Sequence, residues 1–535
     1  MALLQVLSVH RTRLVAMLLL LLLLAAVTVH TLRTRRTRTR LRKLGTHQGH
    51  LLPLPPGPPG EPILGHLRIV PADNPEHAYA AWSKEYRSDI LSFNVLGQPI
   101  IVLNSVRAAV DLLDKRGANY CDRPRFVLFE EMGWRKTLTF MRWGSEFRMH
   151  RSILQRSFSK TSVQVYRELQ EREALILVKG IIRDPGSWET ALRRFATAIV
   201  MRIGFGVSVE SDTDPYIQMA TDASYALGHG GAPAGTLVDF FPFVRHLPDW
   251  LVRDRSLRFA RTWSWAIRQI HDAPYTAVTA KRTQDQEHSL TKMLLEQRAE
   301  QIKSGIAPEL SVDDIKGAAA AVYAAGQDTT WSTLVVFVLN MVLHPEVQEK
   351  AQRVLDEVVG DGRMPCFEDR PRLPYIDYMV QETLRWCPVS PLGVPHRSLE
   401  DDVYDGMSIP KGSFVYANAR AMTHDERTYA DPEAFDPERY VPVEQGGRGE
   451  PFPVGQFGFG RRVCVGKHLA EASIWIVIAS MLATVKIERV RGPRGEEIIP
   501  LVELTNGLTS HPKRFPCRII PRSPRSAEMV ISTTL

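Results

Sequence analysis

The sequence is poor in the residues that build disulfide frameworks and clustered metal sites. Its 535 residues include five cysteines, an odd number without the close spacing of a zinc site. The sequence also contains no Asn-x-Ser or Asn-x-Thr acceptor for N-glycosylation, and no internal repeat is evident. These absences argue against a small secreted protein and against a repeat array, and they favour a domain in a reducing compartment.

Acidic residues are absent from the first fifty positions, although the chain holds 59 Asp and Glu against 67 Lys and Arg. Nine basic residues lie there: Arg11, Arg13, Arg33, Arg35, Arg36, Arg38, Arg40, Arg42 and Lys43. The net charge of +8 therefore belongs to this segment, and the rest of the chain is close to neutral. A basic protein of this kind is not predicted to bind nucleic acid, since that requires a basic surface on the folded domain.

The same segment carries the longest apolar run, at 14–32, with seven consecutive leucines at 18–24. At about 1.5 Å per residue this run is just long enough to span a bilayer. The basic residues crowd its C-terminal side, so the positive-inside rule predicts that the rest of the chain faces the cytosol. No small-residue cleavage site follows, which favours a retained signal anchor over a cleaved signal peptide. We predict an anchor and basic flank over 1–50, with the membrane span at about 14–32.

A proline-rich stretch at 51–62 follows the anchor and predicts a stiff hinge, because proline excludes helix and fixes the backbone. Beyond it, 63–535 has mostly helical patterns broken by proline and glycine. Two runs rich in β-formers, at 90–95 and 100–103, predict a hairpin around a turn at 96–99. Length alone would suggest about three or four domains. Motifs spread along the whole region instead predict one domain, mainly α with a small β region.

The stretch 457–466 reads Phe-Gly-Phe-Gly-Arg-Arg-Val-Cys-Val-Gly and holds Cys464 among three glycines. Glycine lets the backbone approach a flat ligand closely, and a thiolate is an electron-rich ligand for iron. A helical pattern follows at 467–482, so Cys464 should lie near a helix N-terminus, which favours the thiolate. The preceding arginines could neutralise carboxylates on such a ligand. The alternative for a lone cysteine is a buried structural thiol in a glycine turn.

A longer helix is predicted from Ser311, whose side chain can form a capping box with Asp314, to the residues before Pro345. Within it lies Ala-Gly-Gln-Asp-Thr-Thr at 325–330. Asp328 and Thr329 put an acid beside an alcohol, a pair suited to passing protons. Gly326 removes side-chain bulk and would leave space for a small ligand such as dioxygen.

These motifs resemble one family. Phe457, Gly460, Arg462, Cys464 and Gly466 match the F-x-x-G-x-R-x-C-x-G signature of the cytochrome P-450 haem-thiolate monooxygenases, and 325–330 resembles the oxygen-activation helix of that family. The resemblance extends from the hinge to a turn at 504–508. It implies a cytochrome P-450 fold that binds haem b, with Cys464 as the axial ligand of the iron, favouring O–O cleavage.

The resemblance also implies roles for residues outside the signature. The residues expected to hold haem propionates are Arg151, Arg397 and Arg462. Those expected to form a buried structural network are Glu382, Arg385 and Arg439. Those expected to line the substrate pocket are Phe126, Ala325, Leu392, Val394 and Leu508. Asp328 and Thr329 would supply protons as catalytic residues.

One position departs from the family. The helix that carries the propionate arginine usually has Trp four residues before it, and that position here is Phe147. Phenylalanine keeps the aromatic bulk and lacks the indole N–H donor. Arg148 is the predicted replacement donor.

The resemblance implies insertion of one oxygen atom from dioxygen into a lipophilic substrate, with electrons from NADPH through a reductase. A cytochrome b-type donor is a second candidate partner, and Arg461 and Lys467 would help form a basic docking face. The stretches 116–126 and 133–140 look like fungal microsomal enzymes of secondary metabolism, of the O-methylsterigmatocystin oxidoreductase type. Such enzymes lie on the endoplasmic reticulum membrane.

Three questions stay open at this level. A non-catalytic haem carrier or sensor, or a P-450-like isomerase that uses no dioxygen, would share much of this sequence pattern. The aromatic stretches 240–243 and 247–251 are either core connectors or a second membrane contact. The identity of the substrate is not predicted.

Overall fold

The computed structural model describes residues 50–251, 254–280 and 288–534, together with positions 17, 28, 46 and 47. The predicted anchor at 14–32 and its basic flank therefore fall almost entirely outside the described residues. Among the described residues, no single helix is both long and apolar enough to cross a membrane. Only two helices taken together, Val312–Leu343 and Pro345–Val358, reach that length and composition, and they are bent by 105°.

Helices make up most of the described chain, as the sequence predicts. Their bounds are Pro75–Glu85, Val106–Ala109, Val127–Met132, Ser145–Ser157, Arg167–Arg183, Trp188–Phe205, Pro215–His229, Leu237–Phe240, Arg255–Ala280, Leu290–Lys303, Val312–Leu343, Pro345–Val358, Pro374–Trp386, Ala419–Thr423, Lys467–Thr484 and Pro524–Ser532. A π-helical turn, Val110–Lys115, continues the second of them, and short 3-10 turns connect several others.

The β structure is small and lies mainly in one four-stranded sheet. Its strands, in spatial order, are Ile90–Val95, Gln98–Leu103, Phe414–Ala417 and His396–Arg397. The second and third are parallel, and the other pairs are antiparallel. Two-stranded pairs are formed by Thr46–His47 with His50–Leu51, Asp402–Tyr404 with Met407–Ile409, Val490–Arg491 with Glu497–Ile498, and Val485–Glu488 with Arg518–Pro521.

The predicted hairpin forms, but its turn is shorter than expected. Leu96 and Gly97 have φ values of 51° and 83°, so two residues suffice to reverse the chain and the second strand begins at Gln98. Pro99 is tolerated in this strand because pairing with Phe414–Ala417 begins only at Ile100. The prediction that the turn extends to residue 99 is therefore wrong.

The long helix Val312–Leu343 runs through the core and is buried along most of its length. The predicted capping box is confirmed: the Asp314 N–H donates to Ser311 Oγ at 3.1 Å, and the Ser311 N–H donates to Asp314 Oδ2 at 3.0 Å. The helix ends at Leu343, just before Pro345, as predicted. It packs against Trp188–Phe205 and Lys467–Thr484, so the segment 325–330 and the helix that follows Cys464 share one core.

Candidate active site

The cysteine loop, residues 457–466, is held in place by backbone hydrogen bonds and by glycines with left-handed conformations. The Cys464 N–H donates to the Phe457 carbonyl at 2.8 Å. Gly460 has a φ of 54°, and a Cβ there would lie 2.0 Å from the Leu113 carbonyl oxygen. Only glycine permits this close approach. The loop leads into Lys467–Thr484, so Cys464 lies at the helix N-terminus as predicted.

The thiol of Cys464 faces a cavity of about 350 Å³ that the cysteine loop and the long helix line together. Burial raises the pKa of the Cys464 thiol, while the backbone N–H groups of Gly466 and Lys467 and the charge of Arg151 act in the opposite direction. Coordination to a metal ion would oppose this effect of burial and favour the thiolate. Phe457 and Gly466 line the same cavity, whereas Gly460 supports the loop from behind.

Three arginines line this cavity, and the sequence predicts two of them. Arg462 Nη1 donates to the Met141 carbonyl at 2.9 Å, and burial lowers the pKa of its guanidinium to about 10. Arg151 Nη1 donates to the Val463 carbonyl at 2.5 Å. Arg123 was not predicted: it is 5% exposed, and its Nη1 donates to the Pro395 carbonyl at 3.0 Å. Its position inside the stretch 116–126, which resembles fungal enzymes, is the only sequence signal for it.

Arg397 is placed differently from the expectation. Its Nη1 donates to Asp122 Oδ2 at 3.0 Å, and its side chain does not line the cavity. Asp122 also accepts from Arg142 Nη2 at 2.6 Å, so this carboxylate holds the Arg397 guanidinium away from the cavity. Arg123, adjacent to Asp122 in the chain, does line the cavity.

The arginine side chains fit a dianionic flat ligand. Arg123 Nε and Arg462 Nη2 are buried and have no hydrogen-bond partner among the described residues. An unpaired buried guanidinium donor is costly, and a carboxylate would satisfy it. The propionates of a haem supply two such carboxylates, and Cys464 supplies the thiolate that its iron takes as a ligand. The residues present therefore fit a cysteine-ligated haem.

Phe147 lies against the arginines instead of offering a donor. Its ring is 2% exposed, and the Arg462 guanidinium carbon lies 3.6 Å from the ring centroid. Arg148 is exposed, lies over the Trp143 ring at 5.8 Å and does not line the cavity. The prediction that Arg148 replaces the missing indole donor is therefore not supported by its position. The free nitrogens of Arg123 and Arg462 are the available donors.

The acid and the alcohol of the long helix both line the cavity. The carboxylate of Asp328 is 8% exposed, and its Oδ2 accepts from Thr509 Oγ1 at 2.9 Å. Thr329 Oγ1 donates to the Ala325 carbonyl one turn earlier at 2.8 Å. The hydroxyl therefore competes with the helix ladder, a contact that tends to bend helices.

Gly326 allows the long helix to pack closely rather than leaving an open space. A Cβ at this position would lie 2.6 Å from Val200 Cγ1 on the neighbouring helix Trp188–Phe205. The expectation that the missing side chain makes room for a small ligand is thus only partly met. Gly326 does line the cavity, but a side chain at this position would point toward Val200.

The predicted substrate-facing residues divide into two groups. Ala325, Val394 and Leu508 line the cavity. Leu392 instead packs on the sheet in the cluster around Phe93. Phe126 stacks on Phe129 and packs edge-on against Phe140, so it borders a smaller outer pocket of about 300 Å³. The sequence could not separate these groups because all five residues are apolar loop or helix residues near the motifs.

Behind the site, Glu382, Arg385 and Arg439 form a fully buried ion network. Glu382 Oε2 accepts from Arg385 Nε at 2.8 Å, and Glu382 Oε1 accepts from Arg439 Nε at 3.0 Å. Tyr440 donates its hydroxyl to Glu382 at 2.8 Å, and Arg439 pairs with Glu450 at 2.6 Å. Every charge in the network thus has a partner, which is the condition for burying it.

Comparisons with known proteins give matches along most of the chain. The family model for cytochrome P450 matches residues 55–515. A cytochrome P450 monooxygenase of Armillaria gallica is 39% identical over 474 residues, covering 88% of this chain and 92% of the relative. Cytochrome P450 monooxygenase 136 of Postia placenta is 38% identical and covers 88% of this chain and 89% of its own length. A zebrafish cytochrome P450 solved with abiraterone has a TM-score of 0.67 at 24% identity, covering 84% of this chain and all of that one, which indicates a shared fold.

Proposed function

This chain belongs to the cytochrome P450 family of monooxygenases, and we propose that it inserts one oxygen atom from dioxygen into a neutral, lipophilic substrate. The observation that carries the proposal is a single cavity that brings together the Cys464 thiol, unpaired arginine donors and the acid–alcohol pair Asp328 and Thr329. A haem bound there supplies the activation of dioxygen and the transfer of one oxygen atom.

The residues of the chain divide the remaining work. Arg123, Arg151 and Arg462 would hold the propionates of the haem and so fix the orientation of its ring. Cys464 would donate electron density to the iron. Asp328 and Thr329 move protons into the cavity from their carboxylate and hydroxyl oxygens.

The lining of the cavity supports a neutral substrate. Its charged residues, within the described chain, are Arg123, Arg151, Arg462 and Asp328. The three arginines would pair with the propionates of a haem, and the substrate walls are mostly apolar, with hydroxyls such as Ser390 and Thr509. An ionised substrate would lose its hydration there without a partner.

We further propose that a signal anchor at 14–32 tethers the protein to the endoplasmic reticulum membrane, with the catalytic domain in the cytosol. Phe243 and Trp250 are 53% and 80% exposed, which supports a second contact with lipid by the stretches 240–243 and 247–251. NADPH would deliver electrons through an acidic reductase or a cytochrome b-type donor. Arg461 and Lys467, beside the cysteine loop, support such a docking face, since basic residues steer an acidic partner. We also propose a role in secondary metabolism or in xenobiotic oxidation, which the likeness of the stretches 116–126 and 133–140 to fungal enzymes of secondary metabolism supports.

The reduced, carbon-monoxide-bound spectrum tests the ligand. The native protein should give the red-shifted Soret band of a thiolate ligand, and Cys464→His should abolish that band while retaining some haem. Cys387→Ala is the matched control, because Cys387 is buried at 4% exposure and does not line the cavity. A native spectrum like that of myoglobin would rule out Cys464 as the ligand.

Reconstitution with a reductase distinguishes a monooxygenase from a haem carrier or an isomerase. NADPH consumption should be coupled to oxygenated product when terpenoid, polyketide or aromatic compounds are offered. A haem carrier or an oxygen-independent isomerase would yield no product that requires NADPH. Thr329→Ala should keep haem and substrate binding and divert electrons to peroxide or water.

A further inference from the structure

The loop near the C-terminus contacts the long helix at the proposed proton donor. Thr509 Oγ1 donates to Asp328 Oδ2 at 2.9 Å from this loop. The loop closes on itself, since the Thr505 N–H donates to the His511 carbonyl at 2.9 Å and Ser510 Oγ donates to the Thr505 carbonyl at 2.8 Å. The loop thus holds a fixed position against Asp328, and Thr509 lines the cavity beside this carboxylate.

Trp331, close to Asp328 on the long helix, contacts the side chains of His511 and Arg193. It follows Asp328 by three residues on the long helix and is therefore on the same side of that helix. The His511 ring meets the buried indole edge-on, with 4.7 Å between ring centroids. The Arg193 guanidinium carbon lies 3.5 Å from the indole centroid. One rigid ring therefore positions an imidazole and a guanidinium near the Asp328 carboxylate.

Charged groups of both signs lie around His511. Burial lowers the pKa of His511, the Arg193 charge lowers it further, and the Asp328 carboxylate opposes both. Arg193 itself interacts with Asp328, with Glu189 at 4.0 Å and with Arg514. Glu189 is partly exposed, with 32% of its side chain accessible, so these side chains lead from the surface to Asp328.

We propose that Arg193 and His511 are positioning residues for Asp328, and that the protonation of His511 sets the pH range in which Asp328 supplies protons to the cavity. This inference rests on the proposed monooxygenase function. The step is a proton transfer: a carboxylate oxygen of Asp328 takes a proton from the solvent side, releases it into the cavity and becomes ionised again. Arg193 remains charged throughout, so His511 is the group of the two that can titrate.

The direction follows from Coulomb's law. When His511 is protonated, two cations face the Asp328 carboxylate, and both repel a proton that approaches it. Proton delivery should therefore weaken as the pH falls through the folded pKa of His511, which lies below the usual value near 6.5. Above that range His511 is neutral and delivery is unhindered.

Titration of His511 by NMR tests the placement without measuring activity. The haem-loaded, full-length protein is studied in its diamagnetic carbon-monoxide form with labelled histidine, and His511→Gln assigns the signal. Asp328→Asn should lower the pKa of His511 and Arg193→Gln should raise it, each by about 0.5 unit or more. Arg193→Lys keeps the charge and should leave the pKa near the wild-type value. An unchanged pKa in both Asp328→Asn and Arg193→Gln would overturn the proposal, because a merely structural contact predicts no such opposite shifts.

The pH profile of coupling tests the consequence. Product formed per NADPH should fall on the acid side in the wild type, and His511→Gln should remove that fall, raising the ratio by about twofold at the pH where the NMR titration shows half of the wild-type His511 protonated. His77→Gln, at an exposed histidine outside the site, is the control and should retain the fall. If His511→Gln keeps the acid limb while Asp328→Asn abolishes coupling, the positioning role is wrong and the proposed function stands. If Asp328→Asn also leaves coupling unchanged, the proton-donor role and this inference both fail.

Discussion

Arg123 and Arg397 differ in what their guanidinium groups can reach. Both lie close to Asp122, but Arg397 pairs with this carboxylate, and Arg123 keeps a buried, unpaired Nε at the cavity. A donor that is already satisfied by a carboxylate has little to offer a propionate. The two residues therefore make a matched pair for testing which one holds the haem.

Arg123→Gln should accelerate haem transfer to apomyoglobin by about tenfold to a hundredfold, since a hydrogen bond to a charged group contributes about 1.5–3 kcal/mol. Arg397→Gln should change the rate much less, and circular dichroism of both variants checks that the fold is retained. Equal haem loss in the two variants would show that Arg397 also reaches a propionate.

Phe147 is a position where a substitution should strengthen haem binding. Phe147→Trp should keep the stacking on Arg462 and add an indole N–H donor, so haem release should slow if the larger ring fits. Overpacking would appear as a loss of stability of about 1–3 kcal/mol.

Arg148→Ala should leave haem release unchanged, because Arg148 lies on the surface over Trp143. A rise in haem loss on Arg148→Ala would return Arg148 to the list of haem-binding residues.

At the scale of the element, the long helix combines a strong N-terminal cap with close packing at its centre. Its cap is tied to the 3-10 turn Trp134–Lys136 and to the helix Ser145–Ser157, since Asp314 Oδ1 accepts from Lys136 Nζ at 2.7 Å and from His150 Nε2 at 3.1 Å. At its centre, Gly326 lets the helix approach Trp188–Phe205. We expect the cap and the close packing to contribute separately to the stability of the protein.

Gly326→Ala should destabilise the protein by about 1–3 kcal/mol, because the new methyl would clash with Val200 Cγ1. The double variant Gly326→Ala with Val200→Ala should recover part of that loss, since it removes the clashing methyl. Chemical denaturation of the haem-loaded protein measures both. Absence of recovery would mean that the helix backbone, not the contact with Val200, requires glycine here.

The Asp314 cap should give a pH-dependent stability. Burial raises the pKa of this carboxyl, but hydrogen bonds from Lys136, Ser311 and His150 outweigh it and hold the pKa well below its usual range. A carboxyl whose pKa is lower in the folded state stabilises the fold at pH values above its pKa in the unfolded chain, about 3.9. This stabilisation is lost as the pH falls toward the pKa in the folded state. The difference in unfolding free energy between wild type and Asp314→Asn should therefore shrink below about pH 4. Asp313→Asn, at an exposed position in the same turn, is the matched control.

At the scale of the molecule, the anchor and the catalytic domain should be separable. Deletion of residues 1–43 should release most of the protein from membranes and leave haem bound, because every described residue that lines the cavity lies beyond the hinge. Sedimentation with vesicles measures the release, and Trp250→Ser in the deleted protein should reduce any remaining binding. Loss of the folded haem protein on deletion would contradict a separable anchor.

The sequence by itself determined much of the fold and the chemistry. The capping box at Ser311, the helix after Cys464 and the predominance of helix are local patterns, and local patterns can be read from spacing. The signature at 457–466 also fixed the family, because five residue types at set intervals rarely coincide in another fold.

Only the tertiary structure decided which side chains meet at the cavity. Arg123 at the cavity, and Arg193 and His511 against Trp331, come from segments that are far apart in the chain, and spacing does not show that they lie near the site. Arg397, Leu392 and Phe126 have residue types suited to the site, but Asp122 and the neighbouring apolar clusters draw them elsewhere. The physical reason is that a side chain is oriented by the partners that folding brings to it, and a spacing pattern does not contain those partners.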